Sequence, residues 1–270
     1  MKVTKYALVG DGTVNLPITG VLPSDKFILK SIEGLGPPEF LVNIGKTLLQ
    51  GGIYQGNHPQ QRQLVIRVGL NPDYSVGETV EGLRETLYGM VVPTLDYLTF
   101  QIWDDTTLTA IAKGWVSKFE AVPFSKDPEV QITVECQDAY FVAPEFLDLD
   151  LSGMSKSVLT IDNIGSTPTG FYLQITLTAS LSSFSLIRSS PTDEIFTTHA
   201  FLSGDTFEVD TRDGLRDVYS VRSGVKTSLL DVTVFDPGWL QLRRGINSFA
   251  MSSTSFNYSN CVYTPHYLGV

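Results

Sequence analysis

A chain of 270 residues with 42% hydrophobic and 18% charged residues has the composition of a globular protein, long enough for one large β domain or two ordinary ones. Its formal net charge of −10 argues against an electrostatic nucleic-acid binder, which needs a basic face. Gly10-Asp11-Gly12 interrupts any signal-peptide run in residues 1–20, no window reaches the ~18 apolar residues of a membrane span, and Cys136 and Cys261 are too few for a disulfide framework.

In chain order, residues 6–9 and 13–16 flank Gly10-Asp11-Gly12 and read as a short hairpin. Phe27-Ile28-Leu29 leads into Ile32-Glu33-Gly34-Leu35-Gly36-Pro37-Pro38-Glu39, where paired prolines after a glycine leave only a loop or a sheet edge. Residues 51–61 are turn-rich and polar and read as a long exposed loop. Leu64, Ile66, Val68 and Leu70 then share one face of a strand. Ser75 and Glu78 have capping-box spacing ahead of Val80, Leu83 and Leu87, which predicts one short helix over 78–88. Gly82 weakens that helix by up to ~1 kcal/mol relative to alanine.

Leu98, Phe100 and Ile102 alternate with Thr99, Gln101 and Trp103, and Asp104-Asp105-Thr106-Thr107 turns the chain back through residues 108–116 as a hairpin. Residues 123–128 read as a loop before a strand whose Ile132, Val134 and Cys136 face the core, which makes Cys136 a small buried hydrophobe. Residues 144–157 turn acidic, and the domain boundary is placed there, giving domains 1–145 and 146–270.

In the second domain Asn163, Gly165, Thr167 and Pro168 form a turn cluster ahead of Phe171, Leu173, Ile175 and Leu177, the cleanest half-buried strand of the sequence. Residues 181–196 are Ser-rich and predict a weaker strand pair. From Gly204 to Phe249, alternating apolar residues punctuated by glycine and Pro237-Gly238 complete a second β-sandwich. The tail from 252 to 270 fits a last strand or an arm onto a neighbour.

The order of these features resembles the distal tail protein family of long-tailed phages, the ring-forming component between tail tube and host-adsorption apparatus. In the first half the resemblance rests on Ile32-Glu33-Gly34-Leu35-Gly36-Pro37-Pro38, Arg62, Arg84-Glu85-Thr86-Leu87-Tyr88, Gly114-Trp115-Val116 and the run from Ile132 through Asp138-Ala139-Tyr140-Phe141. In the second it rests on Asn163, Gly165, Thr167, Pro168, Gly204-Asp205, Val209-Asp210-Thr211, Leu242, Gly245 and Asn247. The family often carries proline where this chain has Ala139 and Arg244.

The resemblance implies an all-β fold of two β-sandwich domains: a ring-forming first domain with one short helix, and a galectin-like second. It also implies a homo-oligomeric ring, commonly a hexamer, in the virion tail, made in the host bacterial cytoplasm. The implied partners are the tail tube protein, the tail hub or tail-associated protein and a tail fibre or receptor-binding protein. DNA passes only in transit, and nothing inserts into a membrane. Gly52, Tyr54, Asn57, Asp104 and Asp105 are expected at ring contacts or the lumen.

Chemistry is thinly signalled. His58, His199 and His266 have no acidic or cysteine partners nearby in sequence, no nucleophile elbow occurs, and Gly34-Leu35-Gly36-Pro37-Pro38 lacks the lysine of a phosphate loop. Asp104-Asp105, Asp148 with Asp150, and Asp210 with Asp213 invite comparison with calcium ligands or glycosidase carboxylates, but acidic turns need no such explanation. No catalytic, metal or cofactor residue is predicted. Arg243-Arg244 beside Trp239 reads as a glycan or partner contact, or as a solvated hairpin end. The rival readings are a carbohydrate-binding module for host-surface recognition and a β-sandwich hydrolase.

Overall fold

A computed structural model of the chain describes residues 5–10, 14–18, 25–46, 52–91, 97–121, 127–151, 153–189, 192–236 and 238–270. They belong to two compact units, Met1–Pro144 with Tyr267–Val270, and Glu145–His266.

The first unit takes β1 (Lys5–Gly10), β2 (Val14–Ile18), β3 (Phe27–Glu33), β4 (Phe40–Lys46), β5 (Gly52–Pro59), β6 (Gln63–Leu70), α1 (Val80–Met90), β7 (Leu98–Asp104), β8 (Thr107–Ala121), β9 (Glu129–Cys136) and β10 (Phe141–Val142). Its main sheet is antiparallel, in the order β2-β1-β7-β8-β9-β6-β3. Strict alternation makes β6 the centre of the core: Leu64, Ile66 and Val68 are buried opposite Val134, Ile132 and Val130 of β9. Cys136 is buried on the same strand, a small hydrophobe as its place in the pattern implied. The turn of the expected β1–β2 hairpin and most of the loop over 123–128 lie outside the described residues. Gly114 lets β8 and β9 close up, since a Cβ there would meet the Glu135 carbonyl oxygen at 2.4 Å.

Helix α1 contributes Leu83 and Leu87 to this core. It starts later than the capping-box spacing implied. Thr79 is the cap, its Oγ1 accepting from the Gly82 N–H at 3.0 Å. Ser75 is already engaged one turn earlier: its N–H and hydroxyl donate to Asp73 Oδ1 at 2.9 and 2.6 Å, while Glu78 accepts from the Asp73 N–H at 3.1 Å.

Arg62 ties four segments of this unit together. It is 3% exposed, with its guanidinium 4.1 Å from the centre of the Phe141 ring. Nε donates to the Ala139 carbonyl at 3.0 Å, Nη1 to Gly34 and, at 2.7 Å, to Gly36, and Nη2 to Leu268 at 2.7 Å. Burial lowers its pKa, yet every partner is a carbonyl oxygen that favours the cation. Gly34 has φ +90° and no room for a side chain against the Gln63 carbonyl, which is why glycine stands there.

The second unit is a β-sandwich. Its strands are β11 (Leu147–Asp148), β12 (Val158–Asn163), β13 (Phe171–Leu177), β14 (Leu181–Ser189), β15 (Thr192–Phe201), β16 (Thr206–Asp210), β17 (Asp217–Arg222), β18 (Val225–Ser228), β19 (Thr233–Asp236), β20 (Gly245–Met251) and β21 (Phe256–Tyr263). One sheet runs β11-β21-β13-β16-β17-β18 and the other β12-β20-β14-β15-β19. Phe171, Leu173, Ile175 and Leu177 face inward from the first sheet. Ring pairs join the sheets, Phe171 with Phe249 at 5.4 Å and Phe184 with Phe207 at 5.1 Å.

The tail resolves into two parts. β21 lies between β11 and β13, with Cys261 and Tyr263 buried, and a last strand, β22 (His266–Tyr267), pairs with β10. Residues Tyr267–Val270 pack with the first unit. The N–H of Val270 donates to the Leu35 carbonyl at 3.1 Å.

Candidate functional site

Two features of the surface lack an explanation in packing alone, one in each unit. In the first unit β4 and β5 form a two-stranded sheet of their own. Residues 52–59, expected within an exposed loop, are therefore a strand. The hairpin carries Phe40, Leu41, Val42 and Ile44 at 41, 44, 50 and 63% exposure. A bulge between Asn43 and Ile44 sits opposite Gly56, whose φ is +124°. Four large apolar side chains among five residues, interrupted only by Asn43, on a hairpin that pairs with no other strand among the described residues, are an unusual thing to leave in water. Gly52, Tyr54 and Asn57 fall on β5, and Asp104 and Asp105 on the separate β7–β8 turn, where Asp105 has φ +55°.

In the second unit the candidate is a pocket of about 550 Å³ lined by Pro168, Arg188, Asp193, Gly238, Trp239, Gln241, Arg243 and Arg244. The alternation of Trp239-Leu240-Gln241-Leu242 reads as strand in the sequence. Residues 238–244 run outside the named strands, bridged only at Leu242 to Thr169, with reciprocal N–H to carbonyl bonds of 2.7 and 3.0 Å. Leu240 and Leu242 are fully buried, and the intervening Trp239, Gln241 and Arg243 line the pocket.

Two buried asparagines fix this segment. Asn163 Nδ2 donates to the carbonyls of Thr167 and Leu242 at 3.1 and 3.0 Å, and its Oδ1 accepts from the Gly165 N–H at 2.9 Å. Asn247 Oδ1 accepts from the Arg243 N–H at 2.9 Å, while Nδ2 donates to the carbonyls of Arg243 and Gly245, each at 2.7 Å. The turn residues singled out in both halves of the second domain thus meet at one place. Trp239 is held by Phe235, ring centres 4.1 Å apart.

Trp239, Arg243 and Arg244, picked from sequence as neighbours, do line one cavity. Sequence missed Arg188 and Asp193, which join them from a cross-strand pair of β14 and β15. Arg188 is 6% and Asp193 8% exposed, and they form an ion pair. Arg188 Nη1 also donates to the Gln241 carbonyl at 2.7 Å, and its Nε is buried without a partner. Burial, and then the charge of Arg243, lower the Arg188 pKa.

Elsewhere Asp210 and Asp213, weighed as paired acids, each have an arginine partner. Asp210 accepts from Arg212 Nε at 2.9 Å and Nη2 at 2.5 Å, and Asp213 pairs with Arg216. Among the described residues no three His, Cys, Asp or Glu side chains converge to hold a metal.

No protein-family model matches the sequence, and no curated protein matches it. Solved structures do. The chain is similar to the Dit (gp 19.1) protein of phage SPP1, described as a paradigm of the hub adsorption apparatus in phages infecting Gram-positive hosts. The TM-score is 0.63 at 13% identity, over 97% of this chain and 98% of that one. A chain of the phage P2 baseplate in its activated conformation with Ca aligns at TM-score 0.43 and 11% identity, over 98% of each chain. Of these two, the first specifies the fold: this all-β chain shares the SPP1 protein's architecture along nearly its whole length.

Proposed function

We propose that this chain is a structural, non-enzymatic component of a phage tail tip or baseplate. It assembles with copies of itself into a closed ring, six being the expected number, that joins the tail tube to the hub and host-adsorption apparatus of the virion. The observation that carries this reading is the likeness to the SPP1 Dit protein, which spans both units rather than one common sandwich. Its mechanism is geometric: a platform of fixed symmetry around a channel through which DNA passes. The partners that follow are the tail tube protein, the tail hub and a fibre or receptor-binding protein.

The β4–β5 hairpin supports self-association. Closed rings need heterologous contacts, in which one patch of each copy meets a different patch of the next. A hairpin with unpaired edges and an apolar surface suits such a contact, because an adjoining copy can satisfy backbone groups and remove side chains from water together. Gly52, Tyr54 and Asn57 lie on that hairpin, and Asp104 and Asp105 are assigned to the ring contacts or the lumen. Native mass spectrometry with electron microscopy of the purified chain tests the reading. Closed rings of defined mass are expected, and a monomer at every concentration would overturn it.

A further inference from the structure

The pocket of the second unit has a composition that the ring does not use. Three guanidinium groups, those of Arg188, Arg243 and Arg244, face a single carboxylate, Asp193, on a chain whose overall charge is −10. Among the described residues neither Arg243 nor Arg244 has a carboxylate partner within ion-pair distance. Arg188 spends one nitrogen on Asp193 and one on the Gln241 carbonyl, which leaves a buried Nε with nothing to bond. An unpaired buried donor on a cation is costly, and so is holding two arginines near one another. An anion seated beside the exposed Arg243 and Arg244 offsets the second cost, and arginine's planar fork suits phosphate and carboxylate oxygens.

The rest of the lining narrows the anion. Trp239 brings an indole to the same cavity, and indole faces are the usual platform for the apolar face of a sugar ring. The Gln241 side chain supplies both a donor and an acceptor for hydroxyl groups. A volume of about 550 Å³ is within the range of small-ligand sites and holds one or two sugar rings, not a nucleic-acid duplex. The wall is held in place, since Asn163 and Asn247 anchor the segment from Leu242 to Gly245 by four side-chain hydrogen bonds.

We propose that the pocket walled by Arg188, Trp239, Gln241, Arg243 and Arg244 binds a sugar unit bearing a phosphate or carboxylate group. The anion sits among the arginines, and the sugar ring lies on Trp239. This goes beyond the ring assembly and stands independently of it.

The test uses the full chain and calorimetric titration with glucose 1-phosphate, digalacturonic acid, a neutral disaccharide, inorganic phosphate and a short single-stranded oligonucleotide. One or both anionic sugars bind saturably and the neutral sugar does not. Arg243→Ala with Arg244→Ala weakens binding by roughly tenfold or more, because each removes a charge-assisted contact while both side chains are exposed and leave the fold intact. Trp239→Phe weakens the sugars and leaves inorganic phosphate unchanged. The two sugars separate phosphate-bearing from uronic-acid sources. The proposal falls if neither anionic sugar binds, if binding survives the double arginine variant, if inorganic phosphate alone binds as tightly as the sugar phosphate, or if the oligonucleotide outcompetes both sugars. Ring mass measured on the same double variant keeps a failure here distinct from a failure of the assembly reading.

Discussion

Arg62 donates from Nη2 to the carbonyl of Leu268, 206 residues further along the chain, at 2.7 Å. One buried side chain thereby gathers the 34–36 loop, the 139–141 segment and the chain's last turn of backbone around the Phe141 ring.

Arg62→Ala is expected to destabilise the first unit by about 3 kcal/mol or more, since it removes the shared donor of four carbonyl contacts and the cation over the Phe141 ring. Arg62→Lys keeps the charge and loses the fork, so it should recover less than half of that loss. Removing 267–270 should destabilise the first unit in the same direction. Urea unfolding followed by the signal of each unit checks all three, and an unchanged midpoint in Arg62→Ala would contradict the assignment.

Val42→Lys and Ile44→Lys alter only exposed positions of the β4–β5 hairpin. Stability of the isolated chain should change by no more than about 0.5 kcal/mol. Assembly should be lost, because a charge placed in a desolvated contact has no partner. Light scattering at matched concentrations, together with thermal melts, separates the two effects.

Asp205 accepts two bonds from Arg222 Nε at 3.0 and 3.1 Å, one from Nη2 at 2.6 Å, and one from the Leu202 N–H at 2.8 Å. The Arg222 bonds first, and then the Leu202 N–H, hold its carboxyl below the ordinary value. The stabilisation is complete above the unfolded value of about 3.9 and is lost as pH falls through the lower folded value. Asp205→Asn should therefore be less stable than the parent at about pH 7 and lose less on acidification to about pH 3. Urea midpoints at the two pH values give the comparison, and parallel losses would exclude Asp205 as the titrating group.

Burial pushes the thiols of Cys136 and Cys261 up to about 12. In the native protein neither should react with a thiol reagent at about pH 8, while both react once denaturant is added. An unfolded thiol ionises near about 8.5, so the unfolded chain gains relative to the folded one as pH rises past that value. Stability should decline on the alkaline side, and Cys136→Ala with Cys261→Ala should remove that part of the decline.

How much the amino-acid order revealed depends on whether a residue's reason for being there is local. The inward faces of β6 and β13 were legible because burial on one side imposes a period of two. The β4–β5 hairpin was not, since Phe40 to Ile44 of β4 are exposed on alternate sides alike and no period is imposed. Its glycines, Asn57 and His58 then read as loop. At α1 two overlapping cap signals competed, and only the bonds of Asp73 to Ser75 decide that Thr79 starts the helix. Trp239, Arg243 and Arg244 were found together because they are neighbours in sequence. Arg188 and Asp193 reach the pocket through strand pairing, which no spacing encodes. A signal did exist: Arg188 shares the inward register with Phe184 and Leu186, and Asp193 shares it with Ile195 and Thr197. Charges on the core face of two pairing strands mark a site worth inspecting.

The first unit's discontinuity sets a schedule during translation. The ribosome delivers Arg62 early, but Leu268 emerges only after the whole of Glu145–His266 has been made. Until then a nascent chain offers an Arg62 fork one acceptor short and a β10 without its β22 partner.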